Sequence, residues 1–224
     1  IVGQTCVAVI DSGGNPEQGQ GLRLAIKKMT NKPICYVINT HVHPDHIYGN
    51  RAFKGEGVKF VGHHKLARAM ASRSTYYLDK AKDQLAIDLT QGDLIPPDLE
   101  VKDTLKLSLG ERDLLLTAHP TAHTDNDLSV YDVQTDTLWL ADLVFVSHLP
   151  VVDGSALGWI KELEKLSKHS YKTVISGHGA IIKDWPNGVQ PELSYLQNLV
   201  NDVRILVKQG KFLEDAITLL GRKS

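Results

Sequence analysis

The stretch His41-Val42-His43-Pro44-Asp45-His46 sets four groups able to bind metal within six residues. Residues two apart in an extended chain project to the same side, so His41 and His43 can share one ion. Pro44 then restricts the backbone. Asp45 and His46, adjacent on a turning segment, can face a second ion beside the first. Imidazole is the commonest protein metal ligand and also titrates near neutral pH. One metal site needs at least three protein ligands, so more donors must come from elsewhere in the chain. His123 (Ala122-His123-Thr124-Asp125-Asn126-Asp127), Asp142 (Leu140-Ala141-Asp142-Leu143) and His178 (Ser176-Gly177-His178-Gly179) each follow a predicted strand. The glycines beside His178 allow close backbone approach. Each of the three alone is an ordinary solvated loop residue; their order and placement make them a set.

The elements that must position this set are legible as periodicity. Residues 5–11 read as a buried strand ending in Asp11-Ser12-Gly13-Gly14, and 34–40 as a second that runs directly into the histidine motif. Residues 16–30 are predicted helical, with Pro16 in the first turn and Leu22, Ile26 and Met29 on one face. A short helix near 50–54, a strand at 58–62, a helix over 64–88 and a loop at 92–98 follow. Short strands are predicted at 104–109, 113–118, 128–133 and 137–141. A helix over 155–168 carries Leu157, Ile160, Leu163 and Leu166, and a strand spans 172–176. Two helices close the chain. The first has a stripe of Leu196, Leu199, Val200, Val203 and Leu206; the second spans 212–220. This order predicts one mixed α/β layered domain over 1–224, with its chemistry in loops at strand carboxyl ends.

Composition narrows the function classes. The 224 residues carry 25 Lys and Arg against 26 Asp and Glu, a formal charge of −1, and 42% are hydrophobic. That balance excludes a basic nucleic-acid coat and an acidic disordered chain. No apolar run approaches the ~20 residues of a membrane span. Ten histidines are the unusual entry. Cys6 and Cys35 lie in apolar, strand-like runs, are too few for a disulfide scaffold, and are expected as small buried core residues. The chain opens on Ile1-Val2-Gly3 with no basic-then-apolar leader. That abrupt opening fits a processed or missing start, and the compartment stays open.

The set His41-x-His43-x-Asp45-His46, His123, Asp142 and His178 resembles the metallo-β-lactamase superfamily over nearly the whole chain, and Asp11-Ser12-Gly13 resembles its first motif. The resemblance implies a four-layer αββα sandwich whose first hairpin is incomplete here. It also implies a ligand set: His41, His43 and His123 on a first zinc, Asp45, His46 and His178 on a second, and Asp142 bridging. An aspartate at position 142 resembles glyoxalase II-like and phosphodiesterase-like members, where many true lactamases have cysteine or serine. The stretches 39–46 and 120–127 and Trp185-Pro186 resemble a bacterial subgroup, the quinoprotein relay system zinc metallohydrolases.

The implied activity is that of a dizinc hydrolase. A hydroxide shared by two zinc ions would attack a small-molecule carbonyl of a thioester, lactone, ester or β-lactam. Asp45 and Asp142 would hold and orient the nucleophile. Iron or manganese are alternative metals. Three other classes use related sites. A phosphodiesterase or nuclease is disfavoured by the neutral charge and the lack of a Lys/Arg-rich arm. An iron oxidoreductase and a non-catalytic metal-binding maturation protein are the others. No nucleic acid is expected as a partner, and the oligomeric state is open.

The remaining residues have milder expectations. His148 is a candidate for lining the substrate pocket. His119 is expected as a supporting group, His63 and His64 in capping or surface roles, and His169 at a helix C-terminus. Tyr76, Tyr77 and Trp159 are expected to pack, and Lys208, Lys211, Arg222 and Lys223 to be solvated.

Overall fold

Period-two alternation sorts the side chains of the first strands between two layers. In β1 (Val7–Ile10), β2 (Ile34–Ile38) and β3 (Lys59–His63), the residues Val9, Val37 and Phe60 join one apolar cluster with Phe53. Ala8, Ile38 and Val61 enter another, shared with Leu107, Leu114, Leu116 and Val130 of a second sheet. The computed structural model describes residues 1–55 and 57–220; Arg222 and Lys223 lie outside them.

The first sheet has the order β1-β2-β3-β4, all parallel, with β4 at Leu99–Val101. The second has the order β5-β6-β7-β8-β9, with β5 Thr104–Ser108, β6 Asp113–Ala118, β7 Leu128–Asp132, β8 Thr137–Phe145 and β9 Thr173–His178. Its pairs are antiparallel except for β8 with β9. Helices α1 (Pro16–Met29), α2 (Pro44–Ile47) and α3 (Leu66–Leu85) belong to the first half of the chain. Helices α4 (Ala156–Leu166) and α5 (Gln190–Lys208) cover the far face of the second sheet, where Trp159, Leu163, Leu193 and Leu196 join Leu138, Leu140 and Val174 in one cluster. This is the expected four-layer αββα sandwich. A last helix, α6 (Leu213–Leu220), ends the described chain, and no described helix is long and apolar enough to cross a membrane. At the start, Val2 bridges to Val7 and the Ile1 ammonium donates to the Ala8 carbonyl at 2.7 Å, a short return against the edge strand β1.

Several expectations are corrected. Cys6 and Cys35 are not independent core residues but form a disulfide, with Cα atoms 5.8 Å apart. Parallel pairing sets Val7 opposite Ile34, which brings the two cysteines onto adjacent strands. Of the α1 stripe, Ile26 packs, whereas Leu22 and Met29 are exposed. The helix instead seats itself through Pro16 and Gly19, the latter in backbone contact with Gly49, a contact that any Cβ would block. Leu157 and Val203 are exposed, and the α4 face turned inward carries Trp159 and Glu162 instead. β4 was not anticipated, since three residues around a charged Glu100 give no periodic signal. β8 runs four residues beyond its expected end, so that Asp142 lies inside a strand and not just past it.

Candidate metal centre

The carboxyl ends of strands from both sheets converge where β2 hands the chain to the histidine motif. His41 and His43 follow β2, and Pro44 at the first turn of α2 fixes where Asp45 and His46 point. His123 lies in the loop between β6 and β7. Asp142 sits at an irregularity of β8, where Ala141 takes φ 47°, a strained value for a non-glycine residue. Opposite, Gly177 of β9 leaves the space that the Asp142 carboxylate fills, since a Cβ there would strike Asp142 Oδ1. His178 ends β9.

Two groups of donors result, His41, His43, His123 and Asp142 in one, and Asp45, His46 and His178 in the other, with the ligand atoms of each group within 4.8 Å of one another. Asp142 lies between them. Its Oδ2 is 3.5 Å from His123 Nε2 and 3.3 Å from His178 Nε2, and its Oδ1 is 3.2 Å from His46 Nε2. His178 Nε2 also stands 3.2 Å from Asp45 Oδ2. All seven sequence-predicted ligands are therefore together.

The outer nitrogen of several rings is engaged. His123 Nδ1 donates to the Val151 carbonyl at 2.7 Å, and His43 Nε2 to Asp153 Oδ2 at 3.1 Å. His46 Nδ1 contacts Asp11 Oδ2 at 2.8 Å, and His41 Nδ1 lies 3.1 Å from Thr40 Oγ1. A carbonyl or carboxylate only accepts, so in neutral rings the inner His123 Nε2 and His43 Nδ1 carry lone pairs. These two atoms are 3.0 Å apart, and His123 Nε2 is 3.3 Å from His41 Nε2. Lone pairs that close repel unless a cation stands between them. In the other group, His46 Nε2 and Asp142 Oδ1 are buried and lack hydrogen-bond geometry to any partner. The donor chemistry of both groups thus fits divalent metal ions of the zinc type.

The electrostatics differ between the groups. Burial holds His41 well below the usual imidazole range and brings His123 down to about 4. Burial opposes charge at His46 too, but Asp11, Asp142 and Asp45 overcome it and raise that ring well above its ordinary value. Its bond to Asp142 raises His178. Burial acts against the Asp142 carboxylate, yet contacts with His178, His46 and His41 keep it ionised far below the usual range.

Supporting residues were only partly foreseen. Asp11, flagged by its motif at the β1 end, takes φ 55° and accepts from both the backbone and the hydroxyl of Thr40 at 2.8 Å. Asp153 and Arg73, 3.0 Å apart, had no local signal, because 80 residues separate them. His119 is no member of either group; it is buried between Glu162 at 2.8 Å and Ser129 at 2.7 Å. His63 accepts from the Lys65 backbone N–H at the start of α3. His148 is exposed, with its ring 6.0 Å from that of His178. Trp159 and Tyr77 are buried, as expected, while Tyr76 is exposed.

The family model described as the metallo-beta-lactamase superfamily matches residues 1–178. The chain is 27% identical over 134 residues to a linear primary-alkylsulfatase of Pseudomonas sp.; the match covers 58% of this chain but only 23% of that protein. Among solved structures, a metallo-beta-lactamase from Pontibacter korlensis superposes with TM-score 0.71 at 22% identity, covering 88% of this chain and 85% of that one. The metallo-beta-lactamase IND-7 superposes with TM-score 0.70 at 20% identity, covering 88% and 84%. At these identities the structural likeness speaks for the fold, and the family match carries the assignment: the chain belongs to the metallo-β-lactamase superfamily.

Proposed function

We propose that this protein is a dinuclear, zinc-dependent hydrolase acting on a small-molecule carbonyl substrate such as a thioester, lactone, ester or β-lactam. The observation that carries this reading is the pair of donor groups meeting at Asp142, with inward lone pairs on His43 and His123. Two divalent ions, when bound, supply an acidified water at neutral pH and a Lewis-acid contact for the substrate oxygen.

The chain's own residues do the rest. His41, His43 and His123 would hold one ion and His46, Asp45 and His178 the other, with the ionised Asp142 between the two donor groups. The outer bonds to Asp153, Val151 O and Asp11 fix each ring's tautomer and orientation. The Asp45 side chain is half exposed, which lets its Oδ2 orient the attacking water, hold its proton and return it to the leaving group. A cavity of about 450 Å³ opens beside Asp45, His46 and His178, bounded also by Gly14, Gln18 and Ser176. Among the described residues lining it, none is Lys or Arg, which favours a neutral carbonyl over a phosphodiester.

A second reading, sulfate-ester hydrolysis by the same residues, is favoured by the likeness to the alkylsulfatase. Elemental analysis of the purified protein, with a panel of β-lactams, thioesters, lactones, phosphodiesters and an alkyl sulfate, tests both. Two zinc ions with carbonyl turnover that is lost in His123→Ala support the first reading, and turnover confined to the alkyl sulfate supports the second. Normal zinc content without turnover on any substrate would overturn both.

A further inference from the structure

A second cavity, of about 300 Å³, lies beside Phe145, and its walls are mostly apolar. Phe145, Leu149, Pro150, Pro191 and Tyr195 line it, with Ser147 and His148. It borders the site, since the Phe145 ring stacks on His178 with centroids 5.1 Å apart. The chain from Ser147 to Asp153 is pinned to the metal centre at two points, the Val151 carbonyl to His123 and Asp153 to His43. Four apolar residues in succession, Leu149-Pro150-Val151-Val152, are thereby held at the mouth of the site, with Leu149 68% and Val151 57% exposed. Exposure of that much apolar side chain at a fixed position beside reactive groups marks a binding surface.

Among the described residues lining this cavity, none is Lys or Arg, and its one acid is muted. Glu192 is 5% exposed, its Oε1 accepts from the Phe145 N–H at 3.2 Å, and burial pushes its carboxyl up to about 9, so it is neutral at physiological pH. Pro191, Glu192 and Tyr195 belong to α5, beyond the residues matched by the family model, so this wall is supplied by the chain's own C-terminal part.

We infer that the cavity between the 147–152 loop and α5 receives the non-reacting, apolar tail of the substrate, an alkyl chain or aryl ring, with Leu149 and Tyr195 setting specificity. The inference rests on the hydrolase reading for the reacting end and adds the substrate class. The cavity beside Asp45 and the one beside Phe145 both border His178, so the reacting group would sit beside Asp45 and the tail beside Phe145.

The test is a chain-length series on the metal-loaded protein. Specificity constants for p-nitrophenyl acetate, butyrate and hexanoate should rise about twofold to fourfold per methylene, the upper figure being full burial of each CH₂. Leu149→Ser and Tyr195→Ser, checked for folding by circular dichroism, should flatten that slope. Binding of 1-hexanol, followed by NMR, is read separately from turnover and should weaken at least fivefold in Tyr195→Ser. Hexanol binding without hydrolysis of any ester, thioester, lactone, β-lactam or alkyl sulfate would keep the pocket and overturn the hydrolase reading. Hydrolysis with a flat series, or a slope and hexanol affinity unchanged in both variants, would overturn the pocket.

Discussion

The two donor groups are built to different degrees of burial. His41 and His123 are buried, and burial keeps both rings neutral. Across Asp142, Asp45 is half exposed, His178 is 37% exposed, and the carboxylates around His46 and His178 favour their protonated forms. Metal and proton compete for the same lone pairs. His41 and His123 therefore need lose no proton to take an ion, while His46 and His178 must give up protons first. On the proposed dinuclear reading, the difference predicts a tighter site and a more exchangeable one, the latter beside the Asp45 cavity.

The comparison breaks most sharply under ligand removal. His123→Ala should abolish binding at the first site and lower turnover by about 10³-fold or more. His178→Ala should keep one ion per chain and lose less, as read by elemental analysis beside kinetics. Equal loss of both ions in the two variants would erase the distinction.

Next in size is the disulfide. Cys6 and Cys35 tie β1 to β2, whose ends carry Asp11 and His41, and they close a loop of 29 residues. Replacing both by Ser should cost about 3 kcal/mol, measured by urea denaturation.

Asp11→Asn keeps the shape but weakens the hold on His46. Second-site affinity should drop roughly 10–100-fold, with the first site little changed, by chelator competition.

Acid separates the sites without mutation. Burial holds His41 well below the ordinary imidazole range and His123 at about 4, so these two rings stay neutral as pH falls from 7 to 5.5. His46 and His178 are raised above the ordinary imidazole value, so protons displace metal from the second site in that window. A titration by isothermal calorimetry at pH 7.5 and 5.5 should lose the weaker isotherm only.

Glu192→Gln changes how stability depends on pH. The native carboxyl titrates at about 9, against an ordinary value of 4.5, so the folded protein holds a proton that the unfolded chain releases. Its stabilisation is complete below 4.5 and is lost as pH rises through 9. The amide has no proton to lose, so the variant should gain stability relative to the parent between pH 6 and 8.5, by chemical denaturation.

The candidate ligands were legible because their signal is local or repeats a pattern. His41, His43, Asp45 and His46 are spaced by strand and turn geometry within six residues. His123, Asp142 and His178 each follow a predicted strand and match a known order. The succession of strands and helices likewise predicted a layered α/β domain. The failures share one cause. The disulfide needs the β1–β2 register, the Asp153 bond to His43 spans 110 residues, and the exposed Leu22 and Met29 reflect how Gly19 seats α1 on Gly49.

By itself, then, the sequence determined which side chains could hold metal and a layered α/β succession of elements, since side-chain type and backbone period are properties of the chain read locally; the αββα order came with the family resemblance. Only the tertiary structure decided that Asp142 sits inside β8 at a strained Ala141, opposite a glycine that makes room for it. It alone set which imidazole nitrogen faces inward, and which half of the centre is shielded from water. Those outcomes depend on contacts between residues far apart in the chain, where burial and hydrogen-bond partners, rather than residue type, set the chemistry.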